Sequence, residues 1–300
     1  MSTKPAVSVL ILTFNHEQYI AEAIESVLSQ EYSDLEIVCG DDCSKDRTRS
    51  ILIDYHDRYP DKIKLVLHQH NKGISLNFNS CLEHCTGDYV FLLGGDDVFL
   101  PGKINQQVDF MENDLSIAIS YHDVEVFSSE TGLTQYLYSS RHKIFNGGAD
   151  ELIANGTFCC GCSVAVRRLN LPKCDLRIKY SSDWLWYIDI LKSDIGNTIK
   201  FFPGVFSRYR RHENNITSAL ARDAARGFAE VMLTLDIVEK KYPEHSNSVY
   251  RARCERKFVY AIKFILCGEY GSGLRLLVSV LRENIRSPWY FICRKLKLGI

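Results

Sequence analysis

No stretch of this 300-residue chain approaches the ~18–20 consecutive apolar residues that a membrane-spanning helix needs. Its first residues contain one lysine but no long apolar run before a cleavage site, so neither a membrane span nor a secretory signal is predicted. Net charge is nearly absent too: 36 Lys and Arg stand against 37 Asp and Glu, which gives no global attraction to nucleic acid. No CxxC pair recurs among the 11 cysteines. Their scatter, odd number and apolar surroundings predict small core residues in a reducing cytoplasm, not a disulfide framework or a zinc site. No GxGxxG follows the first apolar run, and no GxxxxGK followed by Ser or Thr occurs anywhere. A standard dinucleotide site and a P-loop therefore have no support.

What is present suits one large domain with an appendage. Val7–Thr13 is a β-branched and aliphatic run, as in a strand covered on both faces, and Phe14, Asn15 and His16 end it. Ile20, Ala23, Ile24, Val27 and Leu28 then recur at helical spacing. A second strand, Leu35–Cys39, ends at Gly40-Asp41-Asp42, and Ser44 or Asp46 can cap the following helix, which Pro60 stops. A third, Ile63–Leu67, leads through His68–Gly73 into another helix. A fourth, Tyr89–Leu93, runs into Gly94-Gly95-Asp96-Asp97. Alternating strands and helices predict a parallel sheet with right-handed crossovers, whose ligands bind beyond the carboxyl ends of the strands. Three such ends are polar: Thr13-Phe14-Asn15, Asp41-Asp42 and Asp96-Asp97. Adjacent carboxylates after a buried strand need partners. A divalent cation with phosphate oxygens is one partner, and a solvated turn is the alternative.

Further on, Ile117–Phe127 reads as a strand whose Asp123 faces solvent or a sugar. Ser128–Gly148 reads as a binding loop, and Cys160–Arg168 as a strand in which Gly161 allows either a close approach or a tight turn. Ser182 can cap a helix carrying Asp183 in its first turn, where Asp is also favoured by the helix dipole. Trp184 and Trp186 suit either sugar stacking or packing. Thr198–Phe202 reads as a strand, Pro203-Gly204 as a turn into Val205–Tyr209, and Arg210, Arg211 and His212 as a group suited to phosphate. Three helical patterns follow Ser218, over 219–241, 248–267 and 272–286. Arg275, Ser279, Arg282 and Arg286 share one stripe of the last, and Trp289, Tyr290, Phe291, Arg294, Lys295 and Lys297 come after it. Basic residues interleaved with aromatics predict contact with an anionic membrane surface; a helix packed on the catalytic domain is the alternative.

Taken in order, Val7–Asn15, Ile24–Gln30, Glu36–Thr48, Asn71-Lys72-Gly73, Asn79, Thr86-Gly87-Asp88 and Gly95-Asp96-Asp97 resemble the family 2 glycosyltransferases of the GT-A fold. The resemblance implies an α/β fold: a Rossmann-like, mostly parallel central sheet with flanking helices over residues 1–217, then a helical region over 218–300. It implies inverting transfer from a nucleotide-diphospho-sugar, with a UDP-sugar first among the donors. The acceptor would be a hydroxyl of a glycan or lipid-linked glycan, as in proteins that build bacterial surface polysaccharides. A divalent cation, Mg2+ or Mn2+, is implied as cofactor, and the cytoplasm, at the inner membrane face, as location. By the same resemblance Thr13, Phe14 and Asn15 line the nucleotide pocket, Asp41 meets the base, and Asn71, Gly73 and Gly95 belong to the donor site. Asp96 holds the metal, Asp183 is the catalytic base, and Arg210 and His212 reach the diphosphate and the metal. Three positions depart from the family pattern: Gly94 stands where an acid is usual, Phe78 where Arg is frequent, and Ser182 where Glu is usual. The rival readings are a nucleotidyltransferase and a degenerate sugar-nucleotide binder. No nucleic-acid partner is expected.

Overall fold

The computed structural model describes residues 4–213, 215 and 223–283. They divide into two compact units, one made of residues 4–149 and 157–213, the other of residues 150–156, 215 and 223–283. In the first unit the expected alternation appears as β1 (Val7–Thr13), α1 (Ile20–Leu28), β2 (Leu35–Asp41), α2 (Thr48–Arg58), β3 (Ile63–Leu67), α3 (Ile74–Leu82) and β4 (Tyr89–Gly94). β3, β2, β1 and β4 lie side by side and parallel, so the carboxyl ends of all four open on one edge. The apolar runs of β1 and β2 are buried nearly throughout, and Val9, Ile11, Ile37 and Phe91 join Ile20, Ile24 and Val27 of α1 in one core. Burial on both faces is why these strands read as continuous apolar runs.

The sheet continues as a mixed one. β5 (Val98–Phe99), α4 (Lys103–Glu112), β6 (Ile117–Ser128), β7 (Thr134–Leu137), α5 (Tyr138–Arg141), α6 (Ala149–Asn155), β8 (Ala165–Arg167), α7 (Ser182–Leu191) and β9 (Thr198–Arg211) follow. β8 joins β4 to β6 by antiparallel ladders, while β6 and β9 run parallel along most of their length. Three sequence expectations are corrected here. Pro203-Gly204 does not separate two strands: β9 is continuous, and these two residues bulge out where the partner register passes from His122–Phe202 to Asp123–Val205. The loop 128–148 contains β7 and α5. The stretch from Cys160 begins with a 3-10 turn over Gly161–Ser163, and a Cβ at Gly161 would meet nothing within 4 Å, so no close approach requires this glycine.

The second unit contains α8 (Ala224–Lys241), a 3-10 turn at Pro243, α9 (Ser246–Leu266) and α10 (Tyr270–Glu283). Residues 150–156 belong with it. Arg256 of α9 donates to the Asn155 carbonyl, and Ser248 and His245 both bind the Asp150 carboxylate. No helix among the described residues is long and apolar enough to cross a membrane. Trp289, Tyr290, Phe291, Arg294, Lys295 and Lys297 lie outside the described residues, as do Ser218 and Arg286. Ten cysteines are described and none is in a disulfide; all but Cys267 are buried.

Candidate active site

At the edge where β1 and β2 end, Asn15 takes a left-handed backbone (φ 56°), which Asn tolerates better than most residues. That turn lets its N–H donate to Ser44 Oγ and its Oδ1 accept from the Lys45 N–H. Phe14 is left exposed at this rim. Asp41 is fully buried; its carboxylate accepts from the N–H and hydroxyl of Ser44 and forms an ion pair with Arg49 at 3.1 Å. Asp42 accepts from the Lys72 and Gly73 N–H groups at 2.7 and 2.9 Å, which fixes the turn holding exposed Asn71. Gly73 has φ 84° at the start of α3, a conformation that L side chains rarely adopt.

The end of β4 meets the end of β9. His212 Nε2 lies 2.9 Å from Asp96 Oδ2. Burial opposes ionisation of Asp96, but the His212 hydrogen bond and the two nearby imidazoles outweigh it and hold this carboxyl below the usual range. Asp97 behaves oppositely: burial, reinforced by the Asp96 charge, pushes it well above the usual range. Its Oδ1 accepts from the Arg210 N–H at 3.0 Å. The Arg210 side chain turns inward, donating to the Asp96 carbonyl at 2.8 Å and pairing with Glu22, with Tyr19 and Phe127 rings against it. Arg210 thus braces the backbone of the acid pair.

Gly95 sits under this corner. A Cβ there would stand 2.8 Å from His16 Nδ1 and 2.9 Å from Thr13 Cβ. Thr13 Oγ1 and His16 Nδ1 are both buried with no hydrogen-bond partner among the described residues. Burial lowers the His16 pKa, so a neutral ring is favoured there. Two unsatisfied polar atoms beside the Asp96–His212 pair mark a place prepared for a polar ligand. His16 is a site residue that sequence reasoning passed over, although it directly follows Asn15 at a strand end. No group of three His, Cys, Asp or Glu side chains among the described residues is arranged to hold a metal ion. The Asp96 carboxylate does fit a hard cation that takes its other ligands from phosphate oxygens and water, which is how Mg2+ is commonly held, and the His212 imidazole faces that same carboxylate. At Gly94 a Cβ would lie 2.6 Å from Asp96 Oδ1, so a side chain there would crowd the carboxylate.

Asp183 opens α7 and accepts from the Trp184 N–H at 2.9 Å. Burial pushes its pKa up to about 6 despite that bond. Its charge is felt by Tyr138, Cys159 and Tyr187, so it stands in the same unit as the acid pair but in an apolar recess. Trp184 and Trp186 are core residues; Trp186 donates to the Pro172 carbonyl and meets Phe78 edge to face at 4.8 Å. Phe78 therefore fills a packing position. Beside it, Asn79 clamps Cys174 through both its carbonyl and its N–H. Asp123 is half-buried, and it accepts from the N–H and hydroxyl of Ser139. Beneath the site, fully buried Lys103 donates to Gln107 and to His122 Nε2, and burial lowers its pKa to about 7. Lys103 and Gln107, four apart on one helix face, were the sequence signal for this buried network.

Comparison with known proteins follows the same lines. The model of the family described as "Glycosyl transferase family 2" matches residues 8–171. A Bacillus subtilis relative, EpsE, whose name assigns it to the glycosyltransferases, is 42% identical over 112 residues. That match covers 37% of this chain and 40% of the relative, so the chain spans less than half of that protein's length. An Escherichia coli relative, the UDP-Glc:α-D-GlcNAc-diphosphoundecaprenol β-1,3-glucosyltransferase WfgD, is 24% identical over 220 residues, covering 73% of this chain and 83% of WfgD. Among solved structures, S. aureus TarS 1–349 in complex with UDP-GlcNAc superposes with a TM-score of 0.65 at 20% identity, over 93% of this chain and 81% of TarS 1–349. A Pyrobaculum calidifontis mannosyltransferase in complex with GDP-Man and Mn2+ gives 0.60 at 17% identity, over 98% of this chain and 87% of its own. At such identities the likeness is one of fold, and it is the GT-A arrangement expected from the sequence.

Proposed function

Because this chain belongs to glycosyl transferase family 2, we propose that it moves a sugar from a nucleotide-diphospho-sugar to an acceptor hydroxyl with inversion at the anomeric carbon. The observation that carries this reading is Asp183: a carboxyl in an apolar recess, raised to about 6, in the unit that also holds the acid pair. A base whose pKa lies near the operating pH is the effective one. Asp183 takes the proton from the acceptor hydroxyl as that oxygen attacks the anomeric carbon. The nucleoside diphosphate leaves on the opposite face, toward Asp96 and His212. Thr13, Phe14, Asn15 and Asp41 belong to the nucleotide end of the donor site, with Asn71 and Gly73 on the loop that Asp42 holds. Asp96 and His212 would hold a divalent cation, Mg2+ or Mn2+, which when bound supplies positive charge for the departing diphosphate. Arg210 keeps the Asp96 backbone in place.

UDP is the favoured nucleotide, since TarS and WfgD carry UDP-GlcNAc and UDP-Glc in their names. A lipid-linked or polysaccharide glycan is the favoured acceptor class, supported by WfgD, named for a diphosphoundecaprenol acceptor. Cytoplasmic activity at the inner membrane face fits both. The exposed side of α10 supports contact with an anionic bilayer: Tyr270, Leu274, Val278 and Leu281 are exposed apolar residues, flanked by Arg275 and Arg282.

The deciding experiment measures nucleoside diphosphate release across a panel of donors, with and without a chelator. Asp183→Asn should lose transfer by at least ~10²-fold while binding UDP as tightly as the wild type. Chelation should abolish transfer, and added Mn2+ or Mg2+ should restore it. Full activity of the Asp183→Asn protein would sink the base assignment. Release of pyrophosphate instead of nucleoside diphosphate would establish a nucleotidyltransferase, and donor binding without turnover a degenerate binder.

A further inference from the structure

The short helix α3 carries Ser75, Phe78 and Asn79 at positions i, i+3 and i+4, a spacing that puts them on one face. All three are buried. The other side of α3 is anchored to β2: Asn77 donates to the Gly40 carbonyl at 3.1 Å, and a Cβ at Gly40 would overlap Cys81 Sγ and the Asn77 amide. The stripe itself grips the chain that leads into α7. Ser75 Oγ donates to the Ile178 carbonyl at 2.7 Å. Asn79 Nδ2 donates to the Cys174 carbonyl at 2.9 Å while its Oδ1 accepts from the Cys174 N–H at 2.7 Å. Phe78 meets Trp186 of α7 itself, edge to face at 4.8 Å.

A buried aromatic pair ordinarily just fills a core, but Trp186 also makes a directed bond. Its Nε1 donates at 2.6 Å to the carbonyl of Pro172, two residues before the Cys174 that Asn79 clamps. Asp183 lies three residues before Trp186 in the same helix. Two such side chains leave the axis roughly 60° apart and ~4.5 Å along it. A rotation of α7 by ~20° would carry a carboxyl that stands ~5 Å from the axis through nearly ~2 Å. A misplacement of ~1 Å can cost ~10²-fold in rate. The titratable side chains around Asp183 are Tyr138, Cys159, Cys174 and Tyr187, and burial keeps each of them uncharged at neutral pH. None of these four offers a charge to hold the carboxylate, so its direction comes from the helix that carries it.

We propose that Trp186 is a positioning residue for the reaction: held between Phe78 and the Pro172 carbonyl, it sets the rotation of α7 that aims Asp183 at the acceptor hydroxyl. Asn79 serves the same end one step back, by fixing the segment that carries Pro172. The inference rests on the reading of Asp183 as the base and adds to it the side chains that place that base.

Two variants of the full chain separate positioning from plain packing. Trp186→Phe keeps a ring beside Phe78 and drops the bond to Pro172; Phe78→Leu keeps that bond and drops the edge-to-face contact. Asn79→Ser, which weakens the clamp without emptying the core, takes the place of either that does not fold. Gly87→Ala, crowded against the β1 backbone, is the control destabilised elsewhere. Transfer is followed as nucleoside diphosphate release and UDP binding by calorimetry. Trp186→Phe and Phe78→Leu should bind UDP as the wild type does and lose at least ~10-fold in kcat with donor KM unchanged. Their activity should also fall off at a pH roughly one unit lower, because a loosened recess admits water to the carboxyl. Urea unfolding reads the same group without turnover: the stabilisation that Asp183→Asn adds levels off above the folded-state pKa of Asp183. That pH should drop by roughly one unit in both variant backgrounds and stay in place in Gly87→Ala. Wild-type kcat in both variants overturns the inference, and so does a loss of kcat with neither pH readout shifted, which marks plain packing. Such a failure with Asp183→Asn inactive removes the positioning role alone. Full transfer by Asp183→Asn removes the base reading instead, and the unfolding arm still reports whether Trp186 holds that carboxyl.

Discussion

As the proposed base, Asp183 would set function against stability within a single side chain. Its carboxyl moves from an ordinary value of 3.8 to about 6 on folding, because burial disfavours the charge. Between these values the folded chain binds more protons than the unfolded one, so stability falls as pH rises from about 4 to about 6, and the full cost persists above that. Asp183→Asn keeps an oxygen for the Trp184 N–H and removes the charge. It should therefore stabilise the protein by ~1–3 kcal/mol at pH 7–8 and by nothing near pH 4, read from urea unfolding at both pH values. Activity should show the complementary dependence: the rate declines ten-fold per pH unit below an apparent pKa near 6, because only the ionised carboxyl accepts a proton. A rate that stays level from pH 7 to pH 5 would contradict a base of this pKa. The residue itself was visible in the sequence through family resemblance. Its apolar recess was not, because Tyr138, Cys159 and Tyr187 come from separate parts of the chain.

Elements meet in this fold at glycines that permit close approach. Gly87, before β4, leaves no room for a Cβ, which would stand 2.6 Å from the Ser8 N and 2.7 Å from the Val7 carbonyl carbon. Those neighbours are backbone of β1 and cannot rotate away. Gly87→Ala should destabilise by ~1–3 kcal/mol, measured by urea unfolding, because overpacking here has no side-chain escape. The four parallel strands were legible in the sequence because burial on both faces leaves uninterrupted apolar runs, as in Val7–Thr13. β9 was not, since Pro203-Gly204 carries the composition of a turn while the pairing with β6 that makes it a bulge is long-range. β7 and α5 were hidden for a related reason. Thr134–Leu137 is mostly exposed, so its strand character comes from hydrogen bonds to β6 rather than from an apolar pattern. At the site, the acids at strand ends could be read, whereas the orphaned His16 and the Lys103–Gln107–His122 network needed side-chain geometry.

At the scale of the whole molecule, the boundary between the units is crossed three times by the chain, since residues 150–156 belong with the C-terminal helices. Arg256, His245 and Ser248 hold that short segment. A chain ending at Glu213 should lose these ties, and chymotrypsin should then cleave at Leu152, which is buried in the longer protein; survival of that bond would show that the segment holds without them. The Asp96–His212 contact has its own consequence for how the protein comes into being. The two residues are 116 positions apart, and the ribosome adds roughly 5–20 residues each second. Asp96 therefore leaves the ribosome roughly 6–23 seconds before the imidazole that will meet it. During that interval β9 is missing, the acid pair has no brace from Arg210, and β5 has no neighbour in the sheet. A nascent chain can fold its four parallel strands early and still lack the Asp96–His212 corner. The acid corner is completed late in synthesis, with the strand that closes the sheet.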